Sequence, residues 1–254
     1  MRVLRFTLIA GAAVAASVMV AAPATAQPTV RTATGANAAA IASTVDAFEA
    51  EVGADNCPPG SGCRRIGWDG VPDIRSDPAF MPEGQFRGAG ALFSTPGTGV
   101  QVSADDNTAD PPPFDDPDEI QFRAIDPSYD EAFEPFSPQR LFTSIGSNVI
   151  NTRFVVPGTD DGARTNAFGV VFSDVNAKGT NMKYFNRRGE SLGKFGVPST
   201  PGQQTFSFLG VIFDRARVAR VRITQGAAAL APGVTDLAPA DLVVTDDFVF
   251  GEPE

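Results

Sequence analysis

Apolar residues fall at Ile41, Val45, Phe48 and Val52. That spacing marks one face of an α-helix. Asn37 stands where a cap belongs, and Gly53 where a last turn ends. The pattern predicts one amphipathic helix over 38–52, whose apolar stripe must rest on another surface. From Arg65 onward the period changes. Short apolar or alternating runs are separated by Gly, Pro, Asn and Asp. They predict strands near 90–95, 99–104, 139–143, 148–156, 166–174, 180–186, 191–195, 205–213, 217–224 and 242–250. Arg188-Gly189-Glu190 is placed to turn a hairpin between two of them. Many strands and little helix predict a mainly β chain: an antiparallel β-sandwich, jelly-roll-like, with one N-terminal amphipathic helix.

The first 26 residues follow a different logic. Arg2 and Arg5 precede an apolar run from Leu8 to Val20, and Ala24-Thr25-Ala26 follows. This is the pattern of a secretory signal peptide, so the mature chain is expected to begin at Gln27, in the periplasm or outside the cell. Residues 27–36 are small and polar and read as a flexible leader. Residues 37–254 are then a single sandwich domain. No second apolar run is long enough for a membrane span. Residues 104–117 are rich in Asp and Pro and predict a long surface loop, without the ligand spacing of an EF-hand.

Composition narrows the chemistry. The chain has no histidine, which removes the familiar His-based triads, general bases and zinc sites. Its formal charge is −10, and −12 once the two signal arginines are gone. Such a surface repels nucleic acid and anionic membranes, and suits cations or neutral partners. Cys57 and Cys63 are the two cysteines. In an oxidising compartment they predict a small disulfide-closed loop worth about 2 kcal/mol, with a free thiol pair as the alternative. The 20 phenylalanines against 1 Trp and 2 Tyr read as core filler.

Three groups of residues stand out as candidate chemistry. Asp246 and Asp247 interrupt an apolar strand, and strict alternation puts Asp246 on the face of Phe248 and Phe250. A carboxylate beside the core needs a partner. A structural calcium ion is one candidate, with Asp69, Asp73 and Asp174 supplying further oxygens from loops. Pairing to an arginine, with Arg87 or Arg140 as the cation, or to backbone N–H groups is the other. Trp68-Asp69-Gly70-Val71-Pro72-Asp73 is turn-rich and carries the one tryptophan; Trp68 and Arg140 are the candidate ligand-binding side chains, and a buried anchor is the alternative for Trp68. Arg215, Arg217, Arg220 and Arg222 crowd one segment: either an anion site for acidic polysaccharide or a solvent-facing strand with cross-strand ion pairs. Acid catalysis without histidine would fall to carboxylate pairs, as in glycosidases.

Several segments together resemble a group of uncharacterised secreted bacterial β-sandwich proteins. They are Arg64–Asp73, Phe93–Gly99, Phe136–Phe142, Phe168–Val175 and Thr245–Pro253. The resemblance implies one jelly-roll-like domain and export, and no reaction. The last strands are also similar to those of calcium-containing carbohydrate-binding modules, which implies a structural ion near Asp246 and Asp247. Together these readings predict a secreted, non-catalytic binding or structural protein of the envelope or extracellular matrix, whose partner is a glycan or an envelope component. A carbohydrate-binding module is the second reading, and a carboxylate-based glycoside hydrolase or lyase the third.

Overall fold

A computed structural model describes residues 27–53, 57, 61–105, 120–237 and 239–254. The expected signal peptide and most of the Asp- and Pro-rich segment lie outside the described residues. The chain folds into two antiparallel sheets. One sheet holds, in spatial order, Thr29–Gly35 (β1), Phe206–Ile212 (β10), Ala167–Ser173 (β7), Val244–Gly251 (β12), Phe142–Ile145 (β5) and Gly99–Val102 (β4), and Cys63–Ile66 (β2) also pairs with β12. The other runs Ala91–Ser94 (β3), Val149–Phe154 (β6), Arg220–Thr224 (β11), Asn181–Phe185 (β8) and Ser191–Gly196 (β9). Side chains of both meet in one apolar layer that includes Phe93, Phe142, Phe154, Phe168, Phe172 and Phe248. This is the sandwich that the alternating runs predict.

The helix Ala38–Val52 (α1) packs on the opposite face of the first sheet. Asn37 Oδ1 accepts from the Ala40 N–H at its start, and the Gly53 N–H donates to the Glu49 carbonyl at its end. Ile41, Val45 and Phe48 are buried against Ala167, Val171, Phe206, Phe208 and Val249. Phe48 lies over the cross-strand pair Gly169 and Gly210. A Cβ on Gly210 would come within 2.5 Å of that ring, and one on Gly169 within 2.8 Å. The missing side chains are therefore the seat of the helix. Because helix and second sheet cover both its faces, β7 is buried at every residue, which explains its unbroken apolar run.

Two elements correct the expected organisation. The supposed leader contains β1, an edge strand in register with the whole of β10. Its side chains are mostly exposed or half-buried. Arg31 ties it to Glu51 of α1 at 2.9 Å. The second is β2, a short strand beginning at Cys63, whose disulfide to Cys57 closes the predicted loop. The strand expected at 139–143 is shifted to 142–145, because Gln139 has a left-handed φ of 92° and Arg140 turns inward. No helix among the described residues is long and apolar enough to cross a membrane.

Candidate carboxylate site

The site forms where the first sheet is interrupted. One edge of β12 pairs with β7 along its length. Its other edge meets β5 at Thr245 and β2 from Phe248 onward. Asp246 and Asp247 fall in the gap. There the register against β7 slips, with Thr245 opposite Phe172 but Phe248 opposite Val170, so the strand bulges. The bulge breaks the alternation that would place Asp246 among the phenylalanines. Both carboxyl groups instead converge on Ser137, each with an oxygen 3.0 Å from its Oγ.

Loops 67–73 and 136–140 fill the gap and supply the other groups. The Phe136 and Ser137 N–H groups donate to Asp246 Oδ2 at 2.5 and 3.2 Å. Arg65 of β2 donates to Asp247 Oδ2 and lies 3.4 Å from Glu49 of α1. Asp69 accepts from the Arg140 N–H at 3.1 Å. Gly67 allows this crowding. A Cβ there would lie 3.0 Å from Asp247 Oδ1, 3.4 Å from Ser137 Oγ and 3.8 Å from Asp69 Oδ2.

This is an acidic group short of donors. Ser137 has one hydroxyl proton, yet its Oγ faces Asp246 Oδ1, Asp247 Oδ1 and, at 3.3 Å, the Gly67 carbonyl. Burial pushes Asp246 far above the ordinary carboxylate range, and the neighbouring Asp247 and Asp69 push it further. Burial also raises Asp247, against the pull of Arg65. Asp69 is exposed, and partial desolvation with the charge of Asp247 raises it as well. The cluster needs one more donor, and a proton on Asp246 would supply it.

The sequence candidates divide between this cluster and two other places. Asp69, Asp246 and Asp247 come together. Asp73 does not join them: with Asp105 it pairs with Arg140 Nη2, at 2.5 and 2.7 Å, while Arg140 Nη1 donates to the Ser103 carbonyl at 2.9 Å. Arg140 is 1% exposed, so this candidate ligand-binding group is an internal cross-link. Trp68 is equally buried, stacked on Phe142 with ring centroids 3.9 Å apart. Its Nε1 donates to the Asp246 carbonyl at 2.7 Å. The expected cations for Asp246 are elsewhere, since Arg140 serves Asp73 and Arg87 pairs with Asp160 at 2.9 Å. Arg65 is the cation at the pair, and nothing in the sequence marks it as such.

Asp174 belongs to a third group. It is buried, with a left-handed φ of 69°, and one Asn176 Nδ2 serves both Asp174 at 3.1 Å and Asp236 at 2.7 Å. Burial, then contact with Asp236 and the charge of Asp241, push its carboxyl up to about 9. A raised acid stabilises the fold fully below its unfolded value, and that contribution is lost as pH climbs through about 9. Among the described residues, no three of His, Cys, Asp and Glu are arranged to hold a metal ion.

No family model matches the sequence, and no curated protein matches it. Two solved structures share a distant likeness. One is the enzymatically active domain of tailspike protein 4 of bacteriophage CBA120, 12% identical over 66% of this chain, with a TM-score of 0.28. The other is a glycoside hydrolase family 43 arabinoxylan arabinofuranohydrolase from Bacillus subtilis in complex with cellotetraose, 14% identical over 65% of this chain, with a TM-score of 0.29. The match spans 20% and 27% of those chains. Likeness at this level carries no argument about what this chain does.

Proposed function

We propose that this chain is an exported, non-catalytic binding or structural protein, whose buried carboxylates brace the sandwich. One observation carries the reading. Four of the groups the sequence offers for chemistry, Trp68, Arg140, Asp246 and Asp247, are turned inward and engaged by the fold. Asp246 and Asp247 are fully buried, and Trp68 and Arg140 are each 1% exposed. A glycosidase needs its acid pair facing a substrate, with room for a sugar ring. Here the two carboxyls instead face one hydroxyl, two N–H groups and an arginine. A proton held on Asp246 supplies the donor that Ser137 lacks, and a structural calcium ion between the carboxylates of Asp246 and Asp247 is the alternative. The partner is an extracellular glycan or an envelope component.

Two measurements test this. Protein recovered from outside the cytoplasm is expected to begin at Gln27, and N-terminal mass spectrometry finding Met1 would remove the export reading. Incubated with neutral and acidic polysaccharides, the protein is expected to release no reducing ends. Release that disappears in Asp247→Asn, with the fold intact, would make the cluster a catalytic site.

A further inference from the structure

The outer face of the second sheet carries a charge pattern opposite to the rest of the molecule. One row across it reads Lys194, Lys183, Arg222 and Asn151 on four successive strands. The next reads Phe185, Arg220 and Arg153. So Lys183 lies directly across from both Lys194 and Arg222, and Arg220 directly across from Arg153. Like charges in these positions destabilise a sheet. The ordinary explanation, a solvated strand with acidic neighbours across it, fails here. Among the described residues none of these five cations makes an ion pair. Protection of an edge strand accounts for Lys194 on β9. It does not account for cations on the three strands inside the edges.

The same field extends past the end of the sheet. The β8–β9 turn brings Arg187 and Arg188 beside Arg164, Arg215 and Arg217, around an open cavity of about 420 Å³. Arg217 has Asp214 at 3.3 Å, and Arg187 donates to the Gly162 carbonyl. Arg164, Arg188 and Arg215 have no ion pair among the described residues. The five cations of the face and the five of the cavity are half of the chain's 20, in a protein of charge −10.

We propose that this face, with its arginine-lined cavity, binds an acidic polysaccharide. The proposal rests on the reading of the chain as an exported binding protein and names its ligand class. A stripe of cations on a flat sheet fits a narrow polymer with regularly spaced carboxylate or sulfate groups. An anionic membrane is a broad surface and would also meet the acidic remainder of the protein. Single-stranded nucleic acid needs open aromatic rings for its bases. Phe185, the ring among these two rows, is already covered by the Arg220 guanidinium, 3.9 Å from its centroid.

The test is titration of the full mature chain with polygalacturonate and dextran sulfate, with uncharged dextran, single-stranded DNA and anionic vesicles as comparisons. Two double variants, Arg220→Glu with Arg222→Glu and Arg188→Glu with Arg215→Glu, remove the positive field. Arg222→Glu faces Lys183, so folding is expected to survive, and the melting temperature reports it. The expected result is binding to the acidic polysaccharides only, weakened about tenfold or more by either double variant and by raised salt. No binding, or binding unmoved by charge reversal in folded variants, overturns the proposal. So does tighter binding to DNA or vesicles, or a self-association that the reversals abolish while the polysaccharides go unbound. Reducing ends released from bound polygalacturonate would defeat the non-catalytic reading and leave the face as the binding site.

Discussion

Replacing Arg65 with alanine is expected to destabilise the protein by about 3–5 kcal/mol, the usual result of removing one member of a buried ion pair. Arg65 bridges two acidic side chains, Asp247 and Glu49, that have no exposure at all. Its own side chain is 27% exposed, so it can be removed without opening a large cavity. The loss is electrostatic, and it should depend on pH. Without the guanidinium, the largest pull against burial is lost and the Asp247 carboxyl rises further. A raised acid contributes fully below its unfolded value near 3.9 and loses that contribution as pH rises through its folded value. The variant's deficit should therefore be smaller near pH 5 than near pH 8. Chemical denaturation at the two pH values measures it. An equal and small deficit at both would mean that Arg65 does not hold the cluster.

The second large effect is expected at Trp68. Truncation to alanine should cost about 3–5 kcal/mol, as for other buried aromatic residues. The indole stacks on Phe142 and meets Phe86, Phe93 and Phe248 edge-on, with centroids 5.0 to 5.4 Å away. Trp68→Phe keeps most of that contact but leaves the buried Asp246 carbonyl without its donor, and should cost about 1–3 kcal/mol. Trp68 is the single tryptophan, so native fluorescence reports this site alone. Its emission should be blue-shifted in the folded protein and unmoved by saccharides. A native spectrum that shifts when an oligosaccharide is added would show that the ring is available for stacking on sugars.

The helix was legible in the sequence because its signals are local: a cap at Asn37, a stop at Gly53 and a stripe at Ile41, Val45 and Phe48. The central strands were legible for a related reason. Phe168–Phe172 and Phe208–Val211 are apolar because both faces of the sheet are covered. Strand β1 was hidden because an edge strand buries little, and its Thr-rich, β-branched run was the one available cue. Strand β2 carries two arginines in four residues and is fixed by β12, which lies far away in the chain. Of the site, the need of Asp246 for a partner was readable, and backbone N–H groups were one expected kind, but which residues supply them was not. Ser137, Arg65 and the N–H groups of Phe136 and Ser137 arrive from loops and a strand more than 100 residues away. The bulge that turns both carboxyls to one side has no signal in composition or periodicity. The arginine segment was visible, but its like-charged neighbours belong to strand register, which only the fold supplies.

The most direct test of a cluster braced by a buried proton follows the Asp246 carboxyl itself. Its side-chain carboxyl carbon can be assigned by comparing isotope-labelled protein with Asp246→Asn, and followed by NMR from pH 3 to pH 8 in chelator and in excess calcium. The resonance is expected to stay in the protonated position well above the ordinary carboxylate range, identically in both, with equal melting temperatures. A carboxyl that titrates near its unfolded value, or one that calcium deprotonates while raising the melting temperature, would contradict this account and place an ion where the proton is assigned.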